Sequence, residues 1–299
     1  MSRLAPMYRT IRAATRALVA GLSPEDQMVQ SCPEASPLKW HQAHTTWFFE
    51  TFLLRPFLTD YQPFNEDFRW LFNSYYNTLG ERIPDKPLRA SLSRPTLSEV
   101  LAFRAYVDAA METVLSGPVS AETTRILTLG LHHEQQHQEL MLTDIKHAFH
   151  QSPLHPAYDA APFGLQTGTT ALELVWHKFA SGLVEIGCSP NTSDASDFCF
   201  DNETPRHKVY VEPFLLANRA VTCREYLDFM ADDAYNRPEF WLSEGWETVN
   251  AQRWQAPLYW ERDATNETGW RVFTLRGWHS LAELLDTPVC HLSYFEADA

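Results

Sequence analysis

The stretch richest in chemistry is Leu131-His-His-Glu-Gln-Gln-His-Gln-Glu-Leu140. At about 100° per residue, Ile126, Leu129, Gly130, His133, His137 and Leu140 share an arc of about 100°. His133 and His137 then stand one turn apart on what reads as the core-facing stripe of a helix. Their separation of about 6 Å lets both rings tilt toward one ion at ~2.0–2.1 Å. His132 projects off the stripe, and His147 and His150 lie two or more turns beyond, so none of these three is expected as a ligand. In Trp40-His-Gln-Ala-His-Thr-Thr-Trp47, the residues Trp40, His44, Trp47, Thr51 and Leu54 fall within about 80° on a helical wheel. His44 is thereby set among bulky apolar residues facing an interior, where an imidazole needs a partner. His41, about 60° round from His44, is expected to reach solvent or to make a contact behind the ligands. Three inward histidines from two helices make a half-open metal site with positions left for substrate, which suits a catalytic rather than a structural ion. Spacing does not choose among Zn²⁺, Fe²⁺, Co²⁺ and Ni²⁺.

The elements that must position these rings are helices separated by short breakers. Leu4, Met7, Tyr8, Ile11 and Leu18 have the spacing of a first core helix. Ser23-Pro24-Glu25-Asp26 offers an N-cap with Pro at the first helical position, a second helix is expected over 37–54, and a third over 66–79. The capping box Thr96-Leu-Ser-Glu99 starts a fourth that ends near Gly117-Pro118, and a fifth opens at Ser120 and runs to about Phe149. Four or five antiparallel helices with short connections make a bundle. From Gln151 the texture changes, with Pro153, Pro156, Pro162, Gly164 and Gly168 breaking up the chain. Leu183-Val-Glu-Ile186, Lys208-Val-Tyr-Val-Glu212 and Phe214-Leu-Leu216 read as short strands, Thr222 to Met230 as a helix, and the region holding Trp241, Trp246, Trp254, Trp260, Trp270 and Trp278 as loops stapled by aromatics. The expected class is α+β with two domains: a bundle with the metal site over 1–155, a linker over 156–177, and an irregular second domain over 178–299.

Composition narrows the function. The 299 residues are 44% hydrophobic and 13% aromatic, with ten Trp, which is material for packed cores and excludes a mainly disordered chain. The formal charge of −14 argues against nucleic acid as a partner, since binders of phosphate backbones concentrate Lys and Arg. Five scattered Cys with no CxxC suggest neither a disulfide framework nor a Cys-based zinc site. No window approaches the ~18 apolar residues of a membrane span, and the first twenty residues carry four Arg and no apolar h-region. A cytoplasmic protein that engages no membrane is expected.

Several segments together resemble the ergothioneine-biosynthesis sulfoxide synthases, the non-haem iron enzymes called EgtB. They are Ser36-Pro-Leu-Lys-Trp-His-Gln-Ala-His-Thr-Thr-Trp-Phe-Phe-Glu50, His133-Glu-Gln-Gln-His-Gln-Glu139, Phe200-Asp-Asn-Glu-Thr-Pro-Arg-His207, Trp241-Leu-Ser-Glu-Gly-Trp246, Pro257-Leu-Tyr-Trp260 and Pro288-Val-Cys-His-Leu-Ser-Tyr-Phe-Glu-Ala-Asp298. The resemblance implies a DinB-like helical bundle followed by a partial C-type-lectin-like domain of the formylglycine-generating, sulfatase-modifying-factor kind. It implies Fe²⁺ held by His44, His133 and His137, the same three that the helical wheels select. It also implies small-molecule substrates: hercynine, a cysteine-type thiol (cysteine or γ-glutamylcysteine) and O₂, with the sulfur joined to C2 of the hercynine imidazole as a sulfoxide. A tyrosine pair of the third helix, here Tyr75 and Tyr76, is implied as proton and electron source, with a weak lean toward cysteine as donor. Gln136 is implied in positioning hercynine. Arg89 and Arg94, on the loop before the fourth helix, are candidates by charge and position to pair with a substrate carboxylate, a surface position being the default for each. Glu139 reads as a packing or supporting residue.

Competing readings remain at this point. Other DinB-like proteins are thiol transferases that hold zinc or nickel with three histidines, but these normally need no Trp-rich second domain. A binding module with a lectin-like half would carry no stoichiometric metal. The chain ends at His291-Leu-Ser-Tyr-Phe-Glu-Ala-Asp-Ala299, the opening of a helix with Ser293 as N-cap and Glu296 as its capping-box partner. The sulfoxide synthases continue past this point, so the sequence suggests a fragment or a separately encoded C-terminal half, and poor solubility or weak activity for this chain alone.

Overall fold

The computed structural model describes residues 4–74, 86–158, 170–189 and 198–299. The chain divides into two compact units, Met1–Ala160 with Gly187–Arg206, and Ala161–Ile186 with His207–Ala299.

The first unit is a helical bundle of α1 (Leu4–Val19), α2 (Leu38–Phe49), α3 (Leu97–Ser116) and α4 (Ala121–Gln151). The caps read from the sequence are formed. Thr96 and Glu99 make the reciprocal capping box of α3, and Ser120 accepts from the Thr123 amide at the start of α4. Every residue of α2 is buried, because it packs against both α3 and α4. A helix enclosed in this way shows little amphipathic pattern. The chain stays helical past Phe49 through a π-type turn, Glu50–Leu54. The core is strongly aromatic, with Tyr8, Trp40, Trp47, Phe48, Phe49, Phe68, Phe72 and Phe103 in one cluster. Gly130 lets α4 approach α2, since a Cβ there would lie 2.7 Å from Phe48 Cε1 and 2.8 Å from Phe49 Cε1.

Three expectations need correction in this unit. The Ser23-Pro24 signal opens only a 3₁₀ turn, Asp26–Met28, with the Ser23 amide and hydroxyl both bound to Asp26. Of the helix expected over 66–79, the described residues form a single turn, Phe68–Leu71, that ends at Phe72 with ψ near 5°, and 75–79 lie outside the described residues. The buried stripe of α4 is also turned from the expected one. It runs through Leu127, Leu131, Glu134, Met141 and Ile145, while Leu140 is 45% exposed.

In the second unit β1 (Trp176–Phe179) pairs antiparallel with β4 (Phe214–Ala217), and β2 (Gly182–Ile186) with β3 (His207–Val211). The registers Phe179↔Phe214 and Gly182↔Val211 make one ribbon, interrupted at Pro213, which cannot donate to the ladder. Helices α5 (Cys223–Ala231) and α6 (Ser243–Gln252) follow, then a sheet of β5 (Trp260–Arg262), β6 (Trp270–Thr274) and β7 (Gly277–Ser280), and a last turn α7 (Tyr294–Asp298). The Trp-rich region is therefore a helix and a three-stranded sheet rather than loops. Trp260, Trp270 and Val272 bury one core with Cys223, Leu281 and Leu284, and Tyr226, Tyr235, Trp241 and Val249 form another. The Ser293–Glu296 capping box of α7 is present, and buried Glu296 accepts from the Tyr235 hydroxyl at 2.6 Å. Among the described residues, no helix is long and apolar enough to cross a membrane.

Candidate metal centre

His44 projects from the middle of α2, and His133 and His137 from α4. One nitrogen of each ring lies within 4.8 Å of the others, so the two helices bring the three expected ligands together. His44 is clamped between two indoles, stacked 4.5 Å from Trp40 and 5.3 Å from Trp47. Its Nδ1–H donates to the Phe72 carbonyl at 2.6 Å. The early end of the Phe68–Leu71 turn thus has a use, because Phe72 falls where a continuing helix would otherwise claim its carbonyl. A carbonyl can only accept, so the proton sits on Nδ1 and the Nε2 lone pair of His44 is left for an ion.

His137 meets a ring at each nitrogen. Its Nε2 is 3.1 Å from His133 Nε2, and its Nδ1 is 2.7 Å from His41 Nδ1. Two ligands bound to one ion at ~2.0–2.1 Å about 95° apart are separated by roughly 3.1 Å, so the His133–His137 spacing matches a shared metal. Among the described residues, the buried Nδ1 of His133 has no hydrogen-bond partner. Burial, reinforced by the neighbouring imidazoles and Arg89, holds His44 and His137 well below the usual histidine range. Burial brings His133 down to about 4. All three are neutral at physiological pH, the form that binds a metal. The donor set, its crowding and its protonation all fit a divalent ion of the borderline class.

His41 is buried at 2% exposure, so it does not reach solvent; it makes the contact behind the ligands instead. His132 stacks on Phe198 at 4.1 Å, and His147 bonds Ser31 at 2.6 Å. Arg89 is not a surface residue. It is 7% exposed, lies 3.5 Å over the Trp40 ring, and donates to Ser36 Oγ at 2.8 Å and Ser74 Oγ at 2.9 Å. Its charge acts on His41, His44 and His137, whereas exposed Arg94 acts on Lys39 and Glu99. Gln136 and Glu139 are exposed on α4 beside the second ligand. Tyr75 and Tyr76 lie outside the described residues.

Between the two ligands of α4 stands a residue that the sequence reading passed over. Glu134 is fully buried and accepts from Arg12 Nη1 and Arg104 Nη2, each at 3.0 Å, and from Thr15 Oγ1 at 2.6 Å. Arg12 is held in turn by Asp108 at 2.7 Å and Thr46 at 3.1 Å. This network anchors α4 at the residue between His133 and His137, and with it the direction of both histidines.

Residues 7–141 match the DinB superfamily, and residues 178–299 match the sulfatase-modifying factor enzyme 1-like domain. The fold and site thus define a protein in which a DinB-type bundle carrying a three-histidine centre precedes a sulfatase-modifying-factor-type domain. Among curated proteins the chain is similar to the hercynine oxygenases of Mycolicibacterium smegmatis (28% identity over 270 residues) and Mycobacterium tuberculosis (29% over 273 residues), each match covering 89% of this chain. A third, from Mycolicibacterium thermoresistibile, is 28% identical over 277 residues. The chain spans little more than half of these relatives, 57%, 58% and 55% of their lengths. In both domains and in these relatives, the chain is similar to the EgtB-type hercynine oxygenases over the part of them that it spans.

Proposed function

We propose that the chain carries the metal centre of a hercynine oxygenase, joining a cysteine-type thiol to the imidazole C2 of hercynine at the expense of O₂. The observation that carries this reading is the convergence of His44, His133 and His137, with nitrogens inside 4.8 Å, in a DinB-type bundle. Fe²⁺ bound there would supply O₂ activation and favour the thiolate form of the thiol. The protein's own part is to hold three neutral imidazoles on one side and leave the other side for substrates. Arg89 presents a fixed charge beside the centre, complementary to a substrate carboxylate, with Ser36 and Ser74 setting its plane. Gln136, one residue before His137, is proposed to orient hercynine, Arg94 is proposed as a second carboxylate contact, and Tyr75 or Tyr76 is the proposed proton donor. The five cysteines are all free, which suits a reducing cytoplasm.

The test is anaerobic reconstitution with Fe²⁺, addition of hercynine, O₂ and either cysteine or γ-glutamylcysteine, and mass spectrometry of the products. A sulfoxide adduct with one of the thiols is expected. Iron-loaded protein that yields no adduct with either thiol would overturn the reading.

A further inference from the structure

His137 contacts His133 with one ring nitrogen and His41 with the other, and His41 is in turn bound to Asp144. Asp144 lies seven residues after His137, two turns along α4, and His41 reaches across from α2 to bridge them. Asp144 Oδ2 accepts the Ser36 amide at 2.9 Å and lies 2.9 Å from His41 Nε2. A carboxylate only accepts, so His41 carries its proton on Nε2 and leaves Nδ1 bare. At 2.7 Å from that bare nitrogen, His137 must donate from its own Nδ1, and its Nε2 lone pair is turned toward His133. One negative charge at Asp144 thereby dictates the tautomers of two rings in succession. The other two histidines lack such support among the described residues: His44 leans on a neutral carbonyl, and His133 Nδ1 has no hydrogen-bond partner there.

We propose that Asp144 and His41 form a relay that lends His137 imidazolate character, and so set the affinity and reduction potential of the metal as well as its position. The proposal rests on the three-histidine site taking up a metal. With the His41 and Asp144 side chains only 3% and 14% exposed, little water competes for these bonds, and each polarises the next. A more anionic ligand favours the higher oxidation state of the ion, so removing the charge raises the potential. Asp144 and His41 are positioning residues: His41 touches His137, Asp144 touches His41, and both act on the ion through His137.

The experiment loads the full chain anaerobically with Co²⁺, reads its dissociation constant by competition with a chelating dye and its d–d absorption, and measures the Fe³⁺/Fe²⁺ midpoint separately. Asp144→Asn and His41→Gln are expected to weaken Co²⁺ by ~10–100-fold and to shift its absorption bands. A tenfold greater loss for Fe³⁺ than for Fe²⁺ moves the midpoint up by about 59 mV. Asp144→Glu, which keeps the charge, should stay close to wild type in all three readouts, whereas a purely steric role would disturb it as much as Asn. Wild-type affinity, spectrum and potential in both Asp144→Asn and His41→Gln would overturn the relay, as would a Glu variant that behaves like Asn. A wild-type chain that takes up no Co²⁺ is a different result, and would overturn the metal site itself.

Discussion

Replacement of Glu134 by Gln probes how the bundle aims its histidines. The Glu134 carboxyl is fully buried against two guanidiniums. Burial alone would raise its pKa, but Arg12 and Arg104 hold it down at about 2. Against an ordinary carboxyl value near ~4.3, that depression is worth about 3 kcal/mol of folding free energy. The figure agrees with the ~3–5 kcal/mol typical of removing one partner from a buried ion pair. A depressed pKa gives stability that is present above about pH 4.3 and lost as pH falls through about 2. Glu134→Gln should therefore lower the thermal midpoint of the bundle at pH 7 by ~6–12 °C, taking ~2–4 °C per kcal/mol for a unit of this size. The difference from wild type should close on acidification. Circular dichroism melts of both proteins from pH 7 down to pH 3 measure this. A midpoint within about 2 °C of wild type at pH 7, or a difference that does not change with pH, would refute the reasoning.

Gly130→Ala places a Cβ 2.7 Å from Phe48 Cε1, in a core with no room to yield, and should cost ~1–3 kcal/mol in chemical denaturation while also weakening metal binding. The His133 ring stays neutral down to about pH 4, whereas an exposed histidine charges near ~6.5. Its preference for the neutral form contributes stability above pH ~6.5 that is lost as pH falls through about 4, so an NMR titration of the metal-free chain should place the His133 midpoint nearer 4 than ~6.5. Leu183 of β2 and Leu216 of β4 are 71% and 57% exposed, and Leu183→Lys with Leu216→Lys should reduce concentration-dependent light scattering without shifting the bundle's melt.

The convergence of the three histidines was legible because its signal is local. An i, i+4 histidine pair and a third histidine among tryptophans need only helical geometry to be read. The supporting groups were not, because each is defined by a partner far along the chain. His41 is assigned by Asp144, 103 residues away, and Glu134 by Arg12, 122 residues away. The turn of the α4 stripe has the same origin: its central residue is charged, and a hydrophobic wheel counts Glu134 as solvent-facing until two arginines are placed beside it. Arg89 was misjudged as a surface residue for a related reason, since its burial depends on the Trp40 ring and two serines. In the second unit the β6–β7 hairpin did leave a mark, with Gly269 and Gly277 at φ of 72° and 86° bracketing Trp270–Thr274. The density of tryptophan obscured the alternation that would have named the strands.

The central claim is that His44, His133 and His137 hold one metal ion. Elemental analysis of the chain after anaerobic Fe²⁺ loading and desalting tests it most directly, comparing wild type with a His133→Ala/His137→Ala variant of matched circular dichroism. About one iron per wild-type chain and none in the variant is the predicted result. Equal iron in both, or none in folded wild type, would contradict it.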